Sequence, residues 1–312
     1  MSTNESTSLL PLQGRVRLHD WGVIRAAGAD AASFLHGQLT QDITGLPMAH
    51  ALLAGYCSAK GRLLASFVVW RPAPDELMLA CSADVLPSVL KRLSMFVLRA
   101  KCKLSDASAE VALWGGVGAI EGVDASAAVW SQSMLGDATI TRLPDADASA
   151  RWLCASGVPE APELPHEQWL AIEARSGVPR IVAATSEQFV PQMVNLELIG
   201  GVNFQKGCYP GQEIVARSQY RGTTKRRAQL FETDAVAALV APGQEVFHSA
   251  DAEQPAGMVV LSGRIGAVSS VLVEIKLSAL GDGSLHAGSV SGPLLRPAAL
   301  PYALPSEAEA SA

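Results

Sequence analysis

Hydrophobic positions change their spacing along this chain, and each spacing predicts an element. Residues 28–43 read as a loop followed by a helix. Asp30 stands where a cap belongs, and Ala31, Phe34, Leu35 and Leu39 share one face. Residues 63–70 and 76–81 are rich in apolar, β-favouring side chains and predict strands. Asp84 opens a helix whose Leu86, Val89, Leu90, Leu93, Phe96 and Val97 recur at helical spacing. Residues 111–114 predict another strand, ending in glycines. Strands and helices alternate without a regular βαβ repeat, which predicts an α+β fold.

The stretch 155–165 contains three prolines and two glutamates and reads as an exposed linker. A helix is expected over 167–176, stopped by Gly177 and Pro179. After about Lys225 the texture changes. Short apolar runs at 229–231, 258–261 and 271–275 alternate with Gly- and Ser-rich turns, as in a small β-barrel. The expected division is 14–225, holding two α+β subdomains, then a C-terminal β-barrel at 226–305, then a loose acidic tail at 306–312.

At 312 residues the chain suits two or three packed modules, and a composition 49% hydrophobic and only 17% charged supports a large core. A net charge of −6 gives no general attraction to nucleic acid or an anionic membrane. The polar start argues against a signal peptide, and the apolar run 63–70 is far too short to span a bilayer. A soluble cytoplasmic protein with no membrane partner is expected. Five cysteines, Cys57, Cys81, Cys102, Cys154 and Cys208, lie far apart, without zinc or CxxC spacing, so no metal site is expected. The first four read as small buried hydrophobes.

Cys208 differs because of its neighbours. In KGCYPGQE (206–213) two glycines and a proline predict a loop, and the thiol stands beside Lys206, with Arg217 and Arg221 further on. Positive charge favours the thiolate, while Glu213 pulls the other way. On this chemistry alone a reactive thiol and a structural turn stand level. The glycines at 115–122 fail the dinucleotide pattern and read as a glycine-rich turn. Four basic residues over 221–227 suit a folate's glutamate tail, an RNA phosphate or a solvated strand edge.

KGCYPGQE, with Ala216 and Arg217 after it, resembles the signature of the YgfZ family, and four further segments agree with it. FVPQMVNL (189–196) is similar to FxPQxxNL, and Ile172-Glu173-Ala174 to part of RIEAG. FLHGQLTQD (34–42) is similar to FLQGQLTND, and YCSAKGR (56–62) to YCTPKGR. Together they cover roughly 20–227.

The resemblance implies the three-domain ring of the glycine-cleavage T-protein, with tetrahydrofolate in a central hole. It implies a folate-binding accessory protein in iron–sulfur cluster assembly or repair, affecting iron–sulfur enzymes that include tRNA-modifying ones. It also implies Glu173 as the residue reading the pterin, with Lys206, Gln192, Asn195 and Arg217 as further cofactor-binding residues and Cys208 as the chemical residue. A carboxylate suits that task because it accepts two hydrogen bonds from an aminopyrimidine edge. Iron–sulfur enzymes or assembly proteins are the implied partners beside folate; tRNA is the less favoured one. A one-carbon transferase with an altered substrate and a tRNA-binding module without chemistry are the alternatives. The T-protein's acidic GGxxDD stretch corresponds to residues 61–66, where Ala65 and Ser66 replace the acidic pair, so the T-protein reaction itself is not expected.

Overall fold

A computed structural model describes residues 12–124, 126–220 and 224–305. The tail 306–312 and Arg221 lie outside the described residues. The chain runs β1 (Gly14–Arg17), β2 (Trp21–Ala27), α1 (Ala31–His36), β3 (Ala51–Cys57), β4 (Leu63–Ala73), β5 (Glu76–Ser82), α2 (Leu86–Phe96) and β6 (Lys103–Asp106). It continues through β7 (Leu113–Val117), β8 (Gln132–Leu135), β9 (Ala138–Ala146), β10 (Ser149–Ala155), α3 (His166–Arg175) and α4 (Gln212–Tyr220). The last strands are β11 (Arg226–Thr233), β12 (Glu245–His248), β13 (Gly257–Ile265), β14 (Val268–Lys276), β15 (Leu285–Ala287) and β16 (Leu294–Ala298).

The strands form two five-stranded antiparallel sheets, ordered β3-β4-β5-β2-β6 and β1-β7-β10-β9-β8, and a closed barrel ordered β11-β14-β13-β12-β15-β16. Closure removes the exposed strand edges that an open sheet would leave. The run at 63–70 lacks polar alternation because both its faces are covered. Phe67 and Val69 pack with Phe34 and Leu35 of α1 and Val89 and Leu93 of α2. Val68 and Trp70 face the other way, onto Leu113 and Val117 of β7 and Leu153 of β10.

Several local expectations shift. Asp30 does not cap α1 with its side chain; Oδ2 accepts the Lys101 N–H at 2.7 Å. Asp84 does not open α2, which begins at Leu86; its carboxylate accepts the Ala183 N–H at 2.9 Å. Phe96, counted on the buried stripe, is the last residue of the helix and is 44% exposed. The helix expected in 28–43 is only α1; Leu39 is buried from the loop after it. The stretch after Ala155 is tied down rather than free: Arg15 N–H donates to Pro162 O at 2.8 Å and Leu164 N–H to Arg15 O at 2.7 Å.

The glycines at 115–116 make no turn. They lie inside β7, paired with β1 and β10. The reason is α3. A Cβ on Gly115 would stand 2.7 Å from the Trp169 ring, so the bare backbone is the floor on which that indole lies. On the other side of α3, a Cβ on Gly263 of β13 would stand 2.0 Å from Ala171 N. The helix is thereby clamped between sheet and barrel and is buried on almost every side.

Gly263→Ala should destabilise the protein by about 2 kcal/mol or more, since backbone would have to retreat from backbone. Gly281→Ala, where a Cβ meets nothing within 4 Å, should change stability by less than about 0.5 kcal/mol. Urea unfolding of the two variants checks both.

Candidate functional site

A helix enclosed this fully cannot leave its charges unpaired. Glu173, on α3, is 3% exposed. Arg180 holds it in a fork, Nε donating to Oε1 at 2.9 Å and Nη2 to Oε2 at 2.9 Å. The same guanidinium reaches Asp20 Oδ2 at 2.8 Å and Ser82 Oγ at 3.1 Å, and lies over the Trp21 ring at 5.2 Å. His166, at the start of α3, meets Asp20 at 2.8 Å. Burial works against the Arg180 charge, yet Glu173 and Asp20 outweigh it and raise its pKa. Burial would likewise raise Asp20, but the His166 hydrogen bond and the Arg180 charge prevail and lower it.

Glu173 and Arg180 line a small cavity of about 30 Å³ at the meeting of both sheets with the segment after α3. Trp21, Ser66, Trp130 and Arg151 also line it. Ser66 and Ala65 occupy the positions that the resemblance assigns to an acidic pair. Ser66 Oγ donates to Pro179 O at 3.1 Å and accepts the Ile181 N–H at 3.0 Å, and Ala65 is sealed in the core. No carboxylate takes that place.

Of the cofactor-binding candidates, only Glu173 lines this cavity. Gln192 Nε2 donates to Val215 O at 2.8 Å. Asn195 Nδ2 donates to Ala228 O at 2.9 Å, from a left-handed backbone position (φ 59°) that asparagine tolerates. Both amides therefore join α4 and the barrel to the 3-10 turn Pro191–Val194 and the asparagine that ends it. Lys206 Nζ donates to the main-chain oxygens of His36 and of Leu39, the latter at 2.8 Å, and lies 4.8 Å from the Tyr209 ring centroid. Burial pushes its pKa down to about 8, against the pull of Asp42 and Cys208. Arg217 is exposed and pairs with Glu213 at 2.5 Å, one helical turn away.

Three motif segments meet on a second face. Lys206 pins the 206–211 loop onto the end of α1. A Cβ on Gly211 would stand 2.6 Å from Gly61 Cα, so the loops 56–62 and 206–213 touch backbone to backbone. Beyond Gly211 the expected loop becomes α4, starting at Gln212. Cys208 is exposed here, whereas Cys57, Cys81 and Cys154 are buried and Cys102 is half-buried. Burial pushes the three buried thiols up to about 12 and raises Cys102 as well.

The basic run 221–227 is no open patch where it is described. Arg226 pairs with Glu274 and Arg227 with Glu197. Among the described residues no group of three or more His, Cys, Asp or Glu is placed to hold a metal, and no helix is long and apolar enough to cross a membrane. Sequence reasoning missed Arg151 and Arg180. The signal for Arg151 was a charge inside the apolar strand 149–155; Arg180 had none, because a break in the helix separates it from Glu173 and its other partners, Asp20 and Ser82, are remote in sequence.

Two five-stranded sheets, a closed barrel and a helix clamped between sheet and barrel define the aminomethyltransferase type of fold. The glycine cleavage system aminomethyltransferase T from Bartonella henselae is similar over 91% of this chain and 84% of that one, with a TM-score of 0.67 and 13% identity. No protein-family model matches the chain. The tRNA-modifying protein YgfZ of Photorhabdus laumondii subsp. laumondii is 34% identical over 237 residues, 71% of each chain. That of Serratia proteamaculans is 33% identical over 237 residues, again 71% of each. The chain belongs to the YgfZ family.

Limited alkylation of the folded protein at neutral pH should label Cys208 before any other cysteine, with Cys102 next and the three buried thiols last. Peptide mass analysis reads the order, and earlier labelling of any other cysteine would make the 206–211 loop a structural turn.

Proposed function

We propose that this chain is a folate-binding accessory protein that supports iron–sulfur enzymes, including those that modify tRNA. The observation that carries the folate part is Glu173, a buried carboxylate in the wall of a central cavity flanked by Trp21 and Trp130. The donor chemistry fits a pterin: the Arg180 fork on Glu173 presents two N–H groups side by side, the pattern that an aminopyrimidine edge also presents. The free volume of about 30 Å³ has room for only a water or two, so a ring enters only when side chains give way. Arg180 occupies both oxygens of Glu173 and would have to release them to a ring.

Glu173 would hold the donor edge of the ring and the tryptophans would cover it. The iron–sulfur part is supported by the family resemblance, and the tRNA part by the names of the relatives. One thiol cannot hold a cluster that takes four ligands, so Cys208 would act on a partner's cluster or sulfur. Its exposed position beside buried Lys206 suits such an encounter. An acidic chain whose Arg226 and Arg227 are already paired favours action through a partner enzyme over direct grip on RNA. Aminomethyl transfer is not part of this reading, because Ala65 and Ser66 offer no carboxylate.

Calorimetry should show tetrahydrofolate binding to the wild type and binding roughly tenfold weaker or worse for Glu173→Gln, as expected for hydrogen bonds to a charged group. Unchanged affinity would remove Glu173 from the site. In a strain deleted for the gene, the wild type should restore iron–sulfur enzyme activities and Cys208→Ala should not; full rescue by Cys208→Ala would end the chemical role of the thiol.

A further inference from the structure

Arg151 is the other buried cation of the cavity. It lies on β10 with the parity of Leu153 and Ala155, so its side chain enters the space between the two sheets, and it is 3% exposed. The carboxylates nearest in charge are already taken: Glu173 by Arg180, and Asp145 by Arg142 at 2.5 Å. Arg151 has no ion-pair partner among the described residues. Its single hydrogen bond runs from Nη1 to Pro144 O at 3.2 Å, its Nε is buried without a partner, and its guanidinium lies 5.0 Å from the Trp169 ring centroid. Burial pushes its pKa down to about 10, the mark of a charge whose surroundings do not repay its desolvation. An enclosed cation with unused donors beside a cavity is costly to the fold alone, and such costs persist at binding sites.

We propose that Arg151 is a ligand contact, whose guanidinium takes an acceptor oxygen of the molecule whose donor edge faces Glu173. For a pterin that oxygen is the 4-oxo group, next to the ring nitrogen N3. This rests on the folate reading above. Arg151 then sets specificity: a 4-oxo ring offers it an acceptor, whereas a 4-amino ring turns N–H groups toward a guanidinium and leaves both sides unpaired. A hydrogen bond to a charged group is the interaction at stake, and an unmet buried donor costs its full desolvation.

The test compares tetrahydrofolate with its 4-amino analogue, tetrahydroaminopterin, by calorimetry on the full chain. The wild type should prefer the 4-oxo compound by roughly tenfold or more. Arg151→Met keeps an unbranched apolar stem but removes the charge and the donors; it should shift the ratio of the two affinities at least tenfold towards the 4-amino compound. Its melting temperature should stay level or rise, since an unpaired buried charge has gone. Arg151→Lys, which keeps a donor and the charge, should retain part of the preference and answers the question if the Met variant fails to fold. Wild-type binding of the 4-amino compound as tightly as tetrahydrofolate overturns the proposal, as does an unchanged ratio in Arg151→Met. If the wild type binds neither compound, the folate reading itself fails, and the contact assigned to Arg151 fails with it.

Discussion

The closeness of α3 to both its neighbours is the constraint on which the rest depends. The helix lies against β7 and β13 at distances that exclude any side chain at Gly115 and Gly263. Both glycines are in strands, where glycine ordinarily weakens pairing. Here they remove volume so that Trp169 rests on one backbone and Ala171 on the other. With α3 fixed from two sides, Glu173 has one place to go, and the cavity where the sheets meet inherits its carboxylate.

That placement has an electrostatic cost. Taking Glu173, Arg175 and Arg180 out of water costs several kcal/mol per ion before pairing offsets it. The fold compensates with networks rather than single pairs. Arg175 reaches Asp147 at 2.6 Å and Glu232 at 2.6 Å, which ties α3 to the second sheet and to the barrel. Arg180 ties Glu173 to Asp20 and through it to His166. Among the charges described at the cavity, Arg151 alone is left out of this compensation.

The motifs of the chain divide between two places. Glu173 belongs to the cavity, while the segments around His36, Gly61 and Cys208 build an exposed face held by Lys206 and by the contact of Gly61 with Gly211. Gln192, Asn195 and Lys206 each direct donors to main-chain oxygens, so polar residues in a motif here fix loops to the framework. A motif read as one site can therefore describe a binding wall together with the scaffold around it.

Much of this was legible in the chain. Apolar, β-favouring runs such as 76–81 and the helical stripe at 86–93 follow from local geometry, and the barrel from short apolar runs broken by turns. The motifs sufficed for the family. Cap assignments at Asp30 and Asp84 failed because tertiary donors, Lys101 and Ala183, compete for the same carboxylates. The glycines at 115–116 looked like a turn because nothing local says that an indole will cover them. What the sequence by itself determined was periodicity, composition and the presence of a lone cysteine among glycines, all properties of neighbours along the chain. Only the tertiary structure decided which charges are buried together. Glu173 and Arg180 are close in sequence, but Asp20, Ser82 and Arg151 reach them from strands and loops tens of residues away, and desolvation acts on whatever the packed fold encloses, regardless of sequence distance.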